Sequence, residues 1–225
     1  GTNRMNKYTV RRATFGFANY LKKQFHSLPK IKAVIAYDNR HQSDVFSKEA
    51  ASVFAAQGIE TMLFPELTPT PILSFAVRYY QAQGGIMMTA SHNPKEYNGY
   101  KAYWDDGGQV VPPHDKGIID EVLKISDFSL IPVMDYDEAC QKGLIQITQD
   151  DVLDEYFRLV DTLTYRNEID KELNIVYTPL HGTGGKPVLR SLKNRGFKNI
   201  RTVSEQMVPD PDFSTVKSPN PENQE

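Results

Sequence analysis

Apolar residues recur along the chain with two periods, and the alternation between them sets out an architecture. Over residues 6–26, Val10, Ala13, Phe17, Leu21 and Phe25 fall three or four apart, which predicts a helix with one apolar face and Asn6 as its N-cap. Ile31 to Tyr37 is a short run rich in β-branched residues and predicts a buried strand. Helical spacing returns over 44–57 through Phe46, Ala50, Val53 and Phe54, with Gly58 as the stop. A strand over 59–64 follows, then a helix opened by Thr68-Pro-Thr-Pro71 and running to Gln81, then an apolar strand over 84–89. Tyr100 to Trp104 predicts a return strand and 114–125 a helix. Residues 151–163 predict an amphipathic helix through Leu153, Tyr156, Phe157, Val160 and Leu163, capped by Asp150 or Asp151. A strand over 173–177, a glycine-rich loop over 178–185, a helix over 186–195 and a short strand over 200–203 complete the chain. Residues 126–149 keep neither period.

Strands alternating with helices predict an α/β fold, layered α/β/α, with a mixed but largely parallel sheet. The alternation lapses before 150 and restarts at 173. This places a domain over 1–149 and the start of a second, similar α/β domain over 150–225. Its 76 residues are few for an independent α/β domain, so the second unit reads as incomplete. The chain opens Gly-Thr-Asn without Met and ends in a polar, proline-rich run, so both ends read as cut.

Composition excludes several classes. Hydrophobic residues at 40% and charged residues at 24% argue against disorder and fibrous repeats. With 26 basic against 28 acidic residues the net charge is −2, so no global basic field invites nucleic acid. No stretch approaches the roughly 20 apolar residues that span a bilayer. One cysteine, Cys140, and no Asn-X-Ser/Thr sequon predict a reducing, cytoplasmic setting.

Candidate chemistry gathers where the 84–89 strand ends. In open α/β sheets ligands bind at the carboxyl ends of strands. There Thr89-Ala-Ser-His-Asn-Pro94 places two hydroxyls, an imidazole and a carboxamide within six residues. Lys101 follows Ser91 by ten residues on the return strand. A serine hydroxyl beside a histidine and a lysine suits phosphoryl transfer, because the cations offset the phosphate charge of about −1.5 to −2. As composition alone, these are ordinary loop residues. Ser91 lacks the Gly-x-Ser-x-Gly setting of a hydrolase nucleophile. Asp38 and Arg40, at the end of the 31–37 strand, could brace this loop through an ion pair or touch phosphate. Asp210-Pro-Asp212 reads as a loop rather than a metal site. Gly182-Thr-Gly-Gly-Lys186 fails the nucleotide-loop pattern and reads as a turn into a helix whose N-terminus could favour an anion. His26, His41 and His114 show no ligand spacing and read as surface residues.

The ordered string Thr89-Ala-Ser-His-Asn-Pro-Lys-Glu-Tyr-Asn-Gly-Tyr-Lys101 resembles, without a gap, the phosphoserine loop of the α-D-phosphohexomutases, the phosphoglucomutase and phosphomannomutase family. Gly1-Thr-Asn-Arg-Met-Asn6, Tyr37-Asp-Asn-Arg40, Thr68-Pro-Thr-Pro71, Thr178-Pro-Leu-His-Gly-Thr-Gly-Gly185 and Pro219-Asn-Pro-Glu222 are similar to further landmarks of that family, in order. The resemblance implies a reversible phosphosugar mutase, an isomerase that interconverts hexose 1-phosphate and hexose 6-phosphate through a 1,6-bisphosphate. Glucose leads as substrate, with mannose and pentose phosphates as alternatives. It implies Ser91 as phosphate carrier, also reaching magnesium through its phosphate. His92 and Lys101 are implied in catalysis, and Asn93 and Arg40 at the substrate or phosphate. It implies magnesium and a hexose 1,6-bisphosphate activator. The family's Asp-x-Asp-x-Asp-Arg metal loop and its sugar- and phosphate-binding loops are not in this sequence. Their domains are expected as C-terminal partners in the same chain, and this portion alone is expected to be inactive. A non-catalytic phosphosugar-binding module is the alternative class.

Overall fold

The computed structural model describes residues 4–220 and 222. Gly1-Thr-Asn3 and Pro221, within two of the landmark segments, lie outside the described residues.

Five strands build the main sheet in the order β4-β3-β1-β2-β5. They are β1 (Lys32–Tyr37), β2 (Glu60–Leu63), β3 (Gly84–Met88), β4 (Tyr100–Trp104) and β5 (Ile145–Ile147). All pairings are parallel except β3 with β4, the return strand, which is antiparallel. Side chains alternate between faces, so one strand feeds two cores. Ala33, Ile35, Ile86 and Met88 pack with Phe17, Leu21 and Phe54 from α1 (Lys7–Gln24) and α2 (Ser43–Ala56). Val34, Ala36, Met87 and Tyr103 pack on the other face with Leu73, Ala76 and Val77 of α3 (Thr70–Tyr79). Helices α4 (His114–Leu123) and α5 (Tyr136–Gln141) join the first layer, packing on α1 and α2. The result is the α/β/α layering expected from the alternation.

Local chemistry accounts for the boundaries. Asn6 caps α1, its Oδ1 accepting the N–H groups of Tyr8 at 2.9 Å and Thr9 at 3.0 Å. Thr9 Oγ1 accepts the Asn6 N–H in return, a closed capping box. Gly58, at φ +72°, ends α2 in the left-handed region that suits glycine. The segment 126–149, unreadable as a pattern, holds a single 3₁₀ turn at 128–130, then α5 and β5. β5 is only three residues long and pairs at the sheet edge, so its period is too short to register.

Helix α6 (Asp150–Thr162) starts one residue earlier than expected. Gln149 is the N-cap and makes no side-chain capping bond. Asp150 and Asp151 fall instead in the first helical turn, where carboxylates favour the helix dipole, and Asp151 accepts the Tyr79 hydroxyl at 2.9 Å. The apolar side of α6 joins the α3 core, with Val152 fully buried beside Leu153 and Tyr156. Beyond it lie the parallel pair β6 (Ile175–Tyr177) and β7 (Ile200–Thr202), α7 (Gly185–Asn194) between them, and the short α8 (Ser204–Met207). His114 is not a simple surface residue: its ring stacks on Trp104 at 3.9 Å, and its Nδ1 lies 3.0 Å from the Tyr20 hydroxyl.

Candidate active site at the serine loop

β3 delivers its backbone to a turn immediately past Met88. Thr89 donates its N–H to Gly99 O at 3.0 Å and accepts the Ser91 N–H on Oγ1 at 2.9 Å. Asn93 donates its N–H to Ala90 O at 3.1 Å, closing the turn that displays Ser91. Ser91 is exposed and sits at φ +57°, a left-handed conformation uncommon for a residue with a Cβ. Where the loop returns, a side chain at Gly99 would meet Thr89 O at 2.6 Å, so only glycine lets the two ends close.

Arg40 holds the loop from beneath. Its side chain is almost wholly buried. Nη1 donates to Pro94 O at 2.9 Å and Tyr97 O at 2.8 Å. Nη2 donates to Ser91 O at 2.8 Å and Asn93 O at 2.6 Å. Nε faces Asp38 Oδ2 at 3.4 Å as an ion pair and has no hydrogen bond of its own. Asp38 Oδ1 accepts the Arg40 N–H at 3.0 Å and the Ser43 hydroxyl at 2.9 Å, and Ser43 Oγ in turn accepts from Asn98 at 2.9 Å. Burial pushes the Arg40 guanidinium down from its ordinary value, and the Asp38 charge opposes that shift. Of the two roles left open for Arg40 from sequence, bracing the loop or touching phosphate, these contacts favour the brace. Four of its five N–H groups hold loop carbonyls and the fifth faces Asp38, so none is left for a ligand.

The remaining candidate residues lie around the same edge. His92 is exposed, its Nδ1 3.4 Å from Ser91 Oγ, a long contact. Asn93 is exposed, and its backbone carbonyl is one of the four held by Arg40. Lys101 pairs across the sheet with Met87, on the face that carries Tyr103 and, one pleat further, Thr89. It is half-buried, with no hydrogen bond or ion pair among the described residues.

The second unit faces this loop, which periodicity could not foretell. A cleft of ≈ 370 Å³ has Asp38, Thr70, Thr89, Ser91 and His92 on one wall. Its other wall is Pro179, Leu180, Gly182 and Thr183 of the glycine-rich loop. Thr70, the first residue of α3, thus shares the cleft with the serine and with the loop that leads into α7. Leu180 and His181 are consecutive left-handed residues, at φ +47° and +64°. His181 is buried and pinned, Nδ1 at 2.9 Å from Val208 O and Nε2 at 2.7 Å from Thr215 Oγ1. Asn39, given no role from sequence, joins the units: its Nδ2 donates to His181 O at 2.8 Å and Asp210 O at 2.9 Å.

Asp210 and Asp212 are occupied by protein partners, in keeping with the loop role read from sequence. Asp210 accepts the N–H groups of Asp212 at 2.9 Å and Ser214 at 2.8 Å. Bonding from Ser214, then from the Asp212 N–H, pulls the Asp210 carboxyl down to about 2. Its ordinary value is 3.8, so the bonds contribute stability above pH 4 that disappears as pH falls towards 2. Discounted for partial exposure, this amounts to roughly 1 kcal/mol. Asp210→Asn is expected to flatten that limb of the stability–pH profile measured by thermal melts between pH 5 and 2. An unchanged limb would remove Asp210 from the account.

A layered α/β domain with its candidate chemistry at the strand ends, followed by a second α/β unit, is the class these features define. Phosphoglucomutase/phosphomannomutase, alpha/beta/alpha domain I, matches residues 1–128, and domain II of the same family matches residues 154–225. The chain belongs to the phosphoglucomutase/phosphomannomutase family. It is 39% identical to a human phosphopentomutase over 99% of the chain and 37% of that protein. It is 37% identical to a probable phosphomannomutase of Haemophilus influenzae over 97% of the chain and 43% of that protein. It is 38% identical to a phosphoglucomutase of Staphylococcus haemolyticus over the full chain and 40% of that protein. A crystal structure of a putative phosphomannomutase from Thermus thermophilus superposes with a TM-score of 0.74 at 25% identity, over 95% of this chain and 45% of that one. The chain thus spans about two-fifths of the length of these curated relatives. No helix among the described residues is long and apolar enough to cross a membrane.

Proposed function

We propose that this chain carries the phosphate-accepting serine of a phosphosugar mutase, with Ser91 as the carrier. The observation that supports this most is the exposure of Ser91 in a left-handed turn held rigid by Arg40, facing a cleft walled by the second unit. Phospho-Ser91 gives its phosphoryl group to a free hydroxyl of a sugar monophosphate, and the sugar oxygen loses its proton. The bisphosphate turns around in the cleft and returns its other phosphoryl group to the serine oxygen. Such transfer depends on positioning and on electrostatic stabilisation. The N-terminus of α3, in the cleft with Ser91, supplies partial positive charge, and Lys101 supplies a full one. His92, 3.4 Å from Ser91 Oγ, is our candidate to hold or pass the proton.

Magnesium, when bound, would offset charge on the transferring phosphoryl group. The described residues contain no cluster of three His, Cys, Asp or Glu, so this chain offers the ion Ser91's phosphate and too few carboxylates to hold it. Calorimetric titration of the 225-residue chain is expected to show no tight, stoichiometric magnesium site. Such a site would redirect attention to Asp210 and Asp212.

We propose one large domain over 1–149 and a second from 150, with glucose phosphate as first substrate and a hexose 1,6-bisphosphate as activator. The relatives named for pentose, mannose and glucose lie within two points of identity, so they do not rank the substrates. Incubating the complete polypeptide with glucose 1,6-bisphosphate is expected to add one phosphoryl group at Ser91, read by peptide mass spectrometry. Turnover of glucose, mannose and ribose 1-phosphates then ranks the sugars. Binding of these sugars with no phosphorylation and no turnover would instead establish the non-catalytic module.

Lys101 provides a separate test. Lys101→Met is expected to lower single-turnover phosphoryl transfer by about 10²–10⁴-fold, and Lys101→Arg to retain far more activity by keeping the charge. An equal fall in both assigns proton transfer to the lysine. Both within about twofold of the parent would leave it a strand residue outside the chemistry.

A further inference from the structure

We propose that the turn Asp210–Val216 is a clip that sets the serine loop from the second unit, with Phe213 as the positioning residue that keeps water off Arg40. Its consequence for phosphoryl transfer rests on the function proposed above. The clip itself does not.

The turn is built to present that ring. Phe213 sits at φ +51° and is 6% exposed. A bulky aromatic residue in the left-handed region persists only where its surroundings over-determine it. Here the Asp210 carboxylate takes the N–H groups on both sides, those of Asp212 and Ser214. Asp210 O accepts the Phe213 N–H at 3.2 Å, and Phe213 O accepts the Val216 N–H at 3.0 Å. Thr215 is tied to the buried His181 ring. The backbone is thereby held in a form that glycine would adopt more readily, and the gain is the placement of an aromatic side chain.

That side chain covers the brace. The Phe213 ring centroid lies 5.7 Å from Arg40 Cζ. The guanidinium N–H groups are taken up by loop carbonyls or face Asp38, and the Phe213 ring packs against the same group at cation–π distance. Within the loop Asn93 N–H reaches Ala90 O and Tyr97 N–H reaches Pro94 O, Ser91 N–H and Thr89 N–H close its ends on Thr89 Oγ1 and Gly99 O, and Asn98 Nδ2 ties it to His41 O and Ser43 Oγ. Four further bonds, those from Arg40, gather the carbonyls of residues 91–97 from beneath, and they are strong only while water is excluded.

Two further contacts register the clip. Asn39 Nδ2 holds the carbonyls of His181 and Asp210. Asp212 Oδ1 lies 3.4 Å from Lys95 Nζ, in the serine loop itself, and 3.3 Å from His41 Nε2. Those three side chains are about half exposed, so this ion cluster is worth little beside the buried ring. The ordering of the serine loop is in this way made conditional on docking of a turn from the other unit.

Hydrogen exchange on the complete polypeptide without substrate separates the clip from any catalytic reading. Phe213→Gly relaxes the backbone but removes the cover, whereas Phe213→Leu keeps apolar cover. The glycine variant is expected to exchange the hydrogen-bonded loop amides, those of Asn93 and Tyr97, about tenfold faster or more, with β1 and β3 unchanged and the leucine variant near the parent. Asp212→Asn is expected to change the same amides by less than about threefold. Single-turnover transfer to Ser91 should fall with loop order in the glycine variant, at nearly constant KM. Parent-like loop exchange in Phe213→Gly overturns the proposal, as does a leucine variant as fast as glycine. If the glycine variant does not fold, Phe213→Ala is read by the same criteria. A polypeptide that never turns over, yet shows the faster loop exchange, keeps the clip and sinks the mutase reading.

Discussion

Ser91→Ala in the complete polypeptide is expected to lower mutase turnover by at least about 10⁴-fold, because in the proposed mechanism it removes the group that carries the phosphate between the two half-reactions. Other hydroxyls stand nearby but are not equivalent. The Thr89 hydroxyl is buried at the strand end and engaged by the Ser91 N–H. Thr70 and Thr183 line the cleft from other elements, away from the turn that Arg40 holds. A backbone effect can be separated from a chemical one, since Ser91 sits at φ +57°. Alanine there carries a left-handed penalty of roughly 1 kcal/mol and glycine does not. Ser91→Gly should thus melt at or above the alanine variant and be equally inactive. Coupled assay of glucose 1-phosphate turnover reads both. Activity within about tenfold of the parent in either variant would mean that another residue carries the phosphate.

Arg40→Met is expected to cost about 3 kcal/mol of stability, at the lower end for breaking a buried pair, and to reduce phosphoryl transfer along with it. The lower end applies for two reasons. Asp38 keeps the Ser43 hydroxyl and the backbone N–H of residue 40. The loop carbonyls left without a donor belong to exposed residues that water can reach. Arg40→Lys should be intermediate, because one ammonium cannot span carbonyls that the planar fork reaches from two nitrogens. Urea denaturation measures the first effect and single-turnover transfer the second. A lysine variant with parental stability and impaired phosphate affinity would return Arg40 to the ligand side of the loop.

Much of the fold was legible because burial imposes a period on sequence. α1 could be read from Val10, Phe17 and Leu21 because one helix face packs on the sheet, and its start from Asn6 because a helix end leaves N–H groups to satisfy. β1 and β3 read as continuous apolar runs because helices cover both faces. α5 and β5 were not legible, being six and three residues long at an edge, too short for either period. The cap of α6 was misplaced because aspartates suit both the cap and the first turn, and only the backbone of Gln149 distinguishes them.

The candidate site divides along the same line. Read without coordinates, the chain already showed a serine displayed at a strand end, the lysine returning on the next strand, and the family resemblance, because those depend on residues adjacent in the chain or one turn apart. What Arg40 does became plain only on folding, since a guanidinium beside an aspartate suits phosphate and carbonyls equally until the loop lies over it. Folding alone also brought Asn39 to His181, Lys95 to Asp212 and Phe213 over Arg40. Residues so far apart in the chain leave no periodic trace, because their meeting depends on how the two units close rather than on any local preference of the backbone.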